Sequence, residues 1–325
     1  MHFLLRRLSG FVLTVLAVSL LGFGLLHLAP GGPAELLLGV QEATPEAVAA
    51  INAQYGLDKP WPWQFVLWLR SLLSGDLGTS VTTGASVNDM IAGRIGVTVE
   101  LVVASLVLSV VVGVTLGAAS ALRRATWLDS VIRNVTMVAV AVPGFAFGLG
   151  FVYLFGYVLE GVFPHRGWVP IEESVAGNFQ HLLLPTLTLS LPAIAIVAKM
   201  TRSSMLETIN ADSVWYARSW GHSPWRVMSR FMLRRALTPV VPTIGLLAAT
   251  SVGGTVVVEE IFGLPGLGSL LLLSLDNRDY PAVNAVMLIM AIIAVGSSVL
   301  ADLVNVYIDP RQRRAATVRA KAVTA

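Results

Sequence analysis

Apolar residues in this chain neither alternate along strands nor recur only at the spacing of an amphipathic helix; they run together. Six stretches of largely uncharged, apolar residues stand between shorter polar pieces: 8–28, 97–122, 135–159, 182–198, 239–258 and 281–307. About 20 such residues let a helix cross a hydrocarbon layer of roughly 30 Å. Glu100 lies near the start of the second stretch. Pro143 and Gly144 interrupt the third, and the short fourth contains Pro192. Backbone groups in lipid have no water to pair with, so such runs close their hydrogen bonds internally as helices. No period-two alternation favours strands. The pattern predicts an all-α membrane protein of six transmembrane helices.

The first stretch follows Arg6 and Arg7, as a secretory signal would. Its length exceeds the usual 7–15 apolar residues of such a signal, and no small-residue cleavage site follows it at His27-Leu28-Ala29-Pro30. It is expected to stay as an uncleaved first helix.

The polar pieces orient the helices. With the N-terminus in the cytoplasm, 17 of the 22 Lys and Arg residues fall on cytoplasmic pieces. Lys59, Arg70, Arg94, Arg166 and Arg278 are the exceptions. An excess of basic residues inside is the usual bias of membrane proteins, and an even number of spans returns the C-terminus to the cytoplasm. The organisation read from this is a first helix plus an external helical segment (1–96), a five-helix core (97–310) with a cytoplasmic loop at 199–236, and a basic tail (311–325).

Composition agrees. Hydrophobic residues make up 55% and charged residues 13% of the 325, with a mean hydropathy of +0.75; ordinary soluble domains carry roughly 25% charge. Such a chain could not cover a soluble surface, and it is too apolar for intrinsic disorder. The absence of Cys excludes a disulfide framework, zinc–thiolate sites, Fe–S clusters and Cys nucleophiles. A net charge of +3 does not mark a nucleic-acid binder.

Three inter-helix segments carry information. In the external segment, Thr44-Pro45-Glu46 reads as a helix start. Trp61, Trp63, Phe65 and Trp68, beside Arg70, read as anchors at the lipid boundary. In the 199–236 loop, a helix from Ser203 to Trp220 should stop at Gly221 and restart at Ser223-Pro224, giving two short helices joined at a bend. Ala217 and Gly221 are four apart and share a face on which another backbone could come close. An amphipathic helix lying on anionic lipid is the alternative; a DNA-reading helix pair is squeezed between membrane spans. The third segment, Glu259 to Gly268, is broken by Pro and Gly and followed by apolar residues 269–275, as in a re-entrant or cavity-lining piece.

Catalytic chemistry is sparse. No Lys follows Gly, so there is no phosphate-cradling loop of the ATPase kind. The five His form no H-E-x-x-H pair, and Ser297 and Ser298 lack a His base. Ion-coupled carriers place ionisable groups inside their spans; here Glu100 and Asp302 lie near helix ends, Asp302 as an interface residue paired to a basic one. No cofactor or metal is expected.

Trp215-Tyr216-Ala217-Arg218-Ser219-Trp220-Gly221, continuing to Leu233, resembles the EAA loop of binding-protein-dependent ABC importer permeases, written E-A-A-x-x-x-G, nine residues, I-x-L-P. Ala217 and Gly221 match, and Phe231 and Leu233 fill the apolar positions. Trp215 and Tyr216 stand where Glu and Ala are usual, and Arg234 stands where Pro is. Further blocks are similar to the dipeptide/oligopeptide branch: Val257-Val258-Glu259-Glu260-Ile261-Phe262-Gly263-Leu264-Pro265-Gly266-Leu267-Gly268, Arg278-Asp279-Tyr280-Pro281, Tyr55-Gly56-Leu57-Asp58-Lys59-Pro60, Gly75-Asp76-Leu77-Gly78-Thr79-Ser80 and Asp309-Pro310-Arg311. With its long external segment the chain is similar to the B-type subunit of that branch.

The resemblance implies a type-I ABC importer permease architecture in the plasma membrane. It implies a second permease subunit as partner, two ATPase subunits beneath, a solute-binding protein outside, and peptide as cargo, with nickel or another small solute as the alternative within the class. A channel or scaffold without ATPase partners is the alternative outside it. The resemblance further implies that Trp215, Tyr216, Ala217, Arg218, Gly221 and Leu233 couple to an ATPase. Pro143, Gly144, Gly253, Gly254, Pro265 and Gly266 are the candidate gate or kink positions.

Overall fold

The computed structural model describes residues 2–27, 46, 49 and 58–308. The expected helix start at Thr44 and Pro45, Tyr55-Gly56-Leu57, Asp309-Pro310-Arg311 and the basic tail lie outside the described residues, as does the side chain of Asp302. Helix α1 spans His2–His27, α2 Trp61–Leu73, α3 Val87–Leu122 and α4 Trp127–Ala141. Helix α5 spans Gly144–Tyr153 and passes into a π-helical turn, Leu154–Val158. Helix α6 spans Val175–Ile209 and α7 Asp212–Ser219. A helical run of Pro224–Arg226, the π-helical Val227–Leu233 and Arg234–Ala236 forms α8. Helix α9 spans Val240–Phe262, α10 Leu267–Asp276 and α11 Tyr280–Ile308. Among the described residues, the one β contact is an isolated bridge between Thr79 and Ser86.

Helices α3, α6, α9 and α11 are each long and apolar enough to cross a membrane, and the bent α4–α5 pair can supply a fifth span. The apolar part of α1 within the described side chains, Ser9–Gly24, is shorter than a full span. Among the described residues the structure therefore displays four or five of the six expected crossings. The fourth stretch is much longer than its apolar core. Ser174 caps α6 by accepting the Gly177 N–H at 3.0 Å, and the helix continues through polar residues at both ends of the apolar run.

The bundle is built on α3 and α6, which run parallel: Ser109 lies beside Ser190 and, farther along both helices, Ser120 beside Arg202. Ser105, Ser109, Gly113, Gly117 and Ser120 lie three or four apart along the buried side of α3. A Cβ on Gly117 would stand 2.5 Å from the Ala198 carbonyl oxygen, and one on Gly113 2.7 Å from Val197 Cβ. Only hydrogen fits there. In lipid, where apolar side chains gain little by leaving their solvent, such small-residue faces let backbones pack and drive helix association. Val99, Val103, Val107 and Val111 stand exposed on the other side of α3. Helix α9 meets α11 at Gly245, where a Cβ would stand 2.6 Å from Ala301 Cβ and Ser298 Oγ donates to the Gly245 carbonyl at 3.1 Å. Phe23 of α1 meets Phe65 and Trp68 of α2 at ring-centroid distances of 5.5 and 6.2 Å. Two of the expected aromatic anchors are thus also the seam between α1 and α2.

Candidate functional site

The C-terminal ends of α3 and α6 lie together at the Arg-rich end of the bundle, and α7 and α8 fold onto them. The expected helix from Ser203 to Trp220 is divided. Helix α6 stops at Ile209, and Ala211 is extended at φ −71°, ψ 141° as the cap of α7. The cause is the polar run Asn210-Ala211-Asp212-Ser213: short polar side chains compete for the backbone inside a helix but favour its start, where Asp212 also faces the positive helix end. At the far end of α7, Gly221 takes φ +76°, and the His222 N–H donates to the Ala217 carbonyl at 3.2 Å. Ser223 then caps α8 by accepting the Arg226 N–H at 3.4 Å, with Pro224 at the first position. The bend is where the sequence places it.

The inner side of this helix pair is apolar. Val214 and Ala217 of α7 pack with Val227, Met232 and Ala236 of α8, Met205 of α6 and Ala121 of α3, with Leu233 half-buried beside them. Arg235 Nη1 donates to Ser213 Oγ at 2.6 Å and ties α8 back to α7. Ala217 is only 5% exposed, because the chain's own apolar side chains cover it. A Cβ on Gly221 would meet nothing within 4 Å, so that glycine serves the left-handed turn and no close packing. These two residues do not form one outward, close-packed face. The outward surface is aromatic and basic: Trp215, Tyr216, Arg218, Trp220 and Trp225 are exposed. Trp215 and Tyr216 meet edge to face at 5.9 Å.

Behind this surface lies an ion pair that sequence reading did not single out. Arg202 of α6 donates from Nε to Asp129 Oδ1 and from Nη2 to Asp129 Oδ2, both at 2.9 Å. The Ser120 hydroxyl of α3 donates to Asp129 Oδ1 at 2.5 Å, and the Ala125 N–H donates to Oδ2 at 3.2 Å. Three helices thus meet on one buried carboxylate. The signals were present: a lone Asp next to an apolar run, a lone Arg beyond another, and a G-x-x-x-G that brings α3 and α6 together.

The kink positions separate into three cases. Between α4 and α5 the axis turns by 98° at Val142 and Pro143, with Pro143 capping α5 and Gly144 its first residue. A Cβ on Gly144 would lie 3.7 Å from Pro192 Cγ and 3.9 Å from the Thr188 carbonyl oxygen, which Pro192 deprives of its helical donor. Gly253 and Gly254 lie inside α9, which continues unbroken through them. Gly254 admits Leu189 of α6, whose Cδ1 would be 2.9 Å from its Cβ. Pro265 and Gly266 lie in the link between α9 and α10.

That link is fixed by Glu259, fully buried in the last turns of α9. Its carboxylate accepts the Thr98 hydroxyl at 2.7 Å and the Ser269 N–H at 3.0 Å, and Thr98 Oγ1 accepts the Leu267 N–H at 2.8 Å. The N-terminus of α10, rich in unpaired N–H groups, is thereby closed by a carboxylate from another helix. A Cβ on Gly266 would stand 2.3 Å from Glu259 Cδ. Gly263, at φ +65°, ends α9 so that the chain can turn back.

A second clasp lies at the same end. Asp279 accepts the hydroxyls of Ser80 and Thr82 and, at 3.3 Å, the Val81 N–H. It joins the Gly75–Ser86 loop to the start of α11, about 200 residues away. Asn88 steadies that loop, accepting from the Leu77 N–H and donating to the Gly75 carbonyl. The blocks around Gly75, Glu259 and Asp279 are parts of these clasps.

Comparison with known proteins follows the same lines. The family described as binding-protein-dependent transport system inner membrane component matches residues 113–314, and the corresponding N-terminal membrane component family matches residues 1–102. A probable peptide ABC transporter permease protein y4tP of Sinorhizobium fredii is 37% identical over 311 residues, covering 96% of this chain and 99% of its own. A glutathione transport system permease protein GsiC of Salmonella choleraesuis is 35% identical over 313 residues, covering 96% and 99%. Among solved structures, a chain of the MetNI methionine ABC transporter, in an inward-facing conformation, superposes with a TM-score of 0.55. It is 14% identical and covers 68% of this chain and 96% of its own.

Proposed function

The chain belongs to the binding-protein-dependent transport system inner membrane component family, and from that premise we propose that it is one of two permease subunits of an ATP-driven peptide importer. Members of this family are multi-pass membrane subunits that work with ATPase and substrate-binding proteins and are not enzymes themselves. What carries the peptide reading is the near full-length similarity to permeases named for peptides and glutathione. The finer reading is this. Six helices cross the plasma membrane, with both termini in the cytoplasm. A second permease subunit completes the path, two ATPase subunits lie beneath, and a solute-binding protein delivers cargo outside.

The α7–α8 pair presents Trp215, Tyr216, Arg218, Trp220 and Trp225 to an ATPase; Ala217 and Leu233 hold the pair to the bundle, and Gly221 sets its bend. Nucleotide-driven closure of the ATPases moves these helices, and the path opens alternately to either side. The Pro143–Gly144 bend and the Pro265–Gly266 link are the places where the chain can reshape the path. The absence of a phosphate-cradling loop leaves ATP hydrolysis to the partners.

The test is to purify the chain with its associated subunits, identify them by mass spectrometry and reconstitute them in vesicles with labelled di- and tripeptides. ATP-dependent peptide accumulation is the expected result. Accumulation of nickel and no peptide would overturn the cargo assignment. Flux without ATP or ATPase partners would establish a channel instead.

A further inference from the structure

Helix α4 lies along α6, with Leu128, Ser130, Ile132 and Thr136 half-buried. Of its 15 residues, only Asp129 near the start and Ala139 near the end are buried. Val131, Val135, Met137 and Val138 between them, and Val140 just beyond, are exposed. Beyond Ala139 the chain turns 98° into α5, whose buried residue, Gly148, stands against Thr188 and Phe262. The anchor at the basic end is the carboxylate of Asp129, and its principal partner is Arg202 on α6.

Two turns separate Arg202 from the end of α6, and within them Met205 is the floor on which Val214 and Ala217 of α7 rest. A displacement of α7 and α8 therefore reaches the end of α6 through apolar packing, which is not directional. From α6 it reaches α4 through a two-point guanidinium–carboxylate fork, which fixes distance and direction together. The Ser120 hydroxyl and the Ala125 N–H occupy further acceptor positions of the same carboxylate, so the fork has no slack. Arg202 Nε also reaches Ser120 Oγ at 3.0 Å, which keeps α3 in the joint.

We propose that Asp129 and Arg202 are the positioning pair that carries movement of the α7–α8 helices into the bent α4–α5 segment. The proposal rests on the reading of α7–α8 as the ATPase-docking element. The pair is a joint and touches neither cargo nor nucleotide. Its distinguishing property is the fork, because a single-point ion pair would hold α4 in place and still let it swivel.

The experiment uses the complete reconstituted importer with Arg202→Lys, which keeps the charge and loses the fork, and Asp129→Asn. Three quantities are read: ATP hydrolysis, peptide uptake, and the distance between spin labels on Trp127→Cys and Ser219→Cys. Both label sites are exposed, and the natural chain has no Cys. In the otherwise natural chain, the 127–219 distance should keep one value with and without nucleotide. In the Arg202→Lys chain it should broaden or become nucleotide-dependent. Hydrolysis should persist, and uptake per ATP should fall about five-fold or more, the lower range of a site-to-site coupling energy.

Unchanged uptake per ATP in intact complexes would overturn the proposal. So would uptake and hydrolysis falling in equal proportion with the label distance unaltered, which is how a static staple behaves. If Arg202→Lys and Asp129→Asn both fail to assemble, Asp129→Glu is read instead, and its failure to assemble also counts for the staple. A natural chain that recruits no ATPase sinks the docking reading and this proposal with it. A working importer whose variants couple normally sinks the proposal alone.

Discussion

Gly221 and Gly117 show how one residue type serves two physical needs. Gly221 sits at φ +76° with open space around it, so a side chain there meets backbone strain and no clash. The left-handed conformation costs a non-glycine residue about 1–2 kcal/mol. Gly221→Leu should therefore leave the chain folded and inserted, with a thermal midpoint only slightly lowered. Its effect should fall on coupling, because the α7–α8 bend shifts: peptide uptake per ATP drops while the ATPase stays bound. Normal uptake would show that the bend angle is immaterial. Gly117 has ordinary backbone angles but no room. Gly117→Ala would force α3 from α6, and overpacking of this kind costs about 1–3 kcal/mol. Gly253→Ala, in the middle of α9 with nothing within 4 Å of its Cβ, is the control and should be neutral or slightly stabilising. Thermal unfolding of the purified chain in detergent separates the two, and equal midpoints would refute the close-packing argument.

At the scale of elements, apolar runs made the spans legible, and turn chemistry marked the bend between α7 and α8. What the sequence could not show was how far a helix continues past its apolar core. Helix α6 takes in Asn178 and His181 at one end and Arg202 and Ser204 at the other, because a helix needs only paired backbone groups and a cap. The loop blocks near Gly75, Glu259 and Asp279 were recognisable as motifs, yet their meaning is long-range: each supplies half of a clasp. Asp129 and Arg202 were invisible as a pair for the same reason, being 73 residues apart in the chain. The Ala217–Gly221 face failed differently. Spacing four apart establishes a shared helix face, but Gly221 lies beyond the helix end, and burial decides which way Ala217 turns. The clasp at Asp279 makes a prediction at this scale. Asp279→Ala removes the acceptor of two hydroxyls and one N–H from the loop, and of the Ala282 N–H in its own helix; bonds to charged groups contribute about 1.5–3 kcal/mol each. The Gly75–Ser86 loop should then exchange its amide hydrogens faster, while α3 stays protected. Unchanged exchange in the loop would mean that Asn88 and the Thr79–Ser86 bridge hold it without Asp279.

For the whole molecule, the arrangement of charge and the packing of helices point to one orientation by independent routes. The three-helix joint at Asp129 and the apolar cluster around Met205 bring the ends of α3 and α6 together with α7 and α8. That end carries Arg123, Arg124, Arg202, Arg218, Arg226, Arg230, Arg234 and Arg235. The opposite end, with the Glu259 and Asp279 clasps, carries Arg94, Arg166 and Arg278. Sequence could count these charges, but only the fold shows that those of the first group share one end. Basic residues near the ends of spans are held on the cytoplasmic side, so the α7–α8 end is predicted to face the cytoplasm and α2 the exterior. The cysteine-free chain allows a direct measurement in intact cells. Ser71 at the end of α2 and Ser219 at the end of α7 are both exposed, so lack of reaction at either cannot be blamed on burial within the chain. Ser71→Cys should react with a membrane-impermeant maleimide added outside. Ser219→Cys should stay unlabelled until the membrane is permeabilised, then react fully. The opposite order would invert the molecule. It would place the aromatic surface of α7 and α8 outside the cell, out of reach of an ATPase, and with it the coupling assignment would fall.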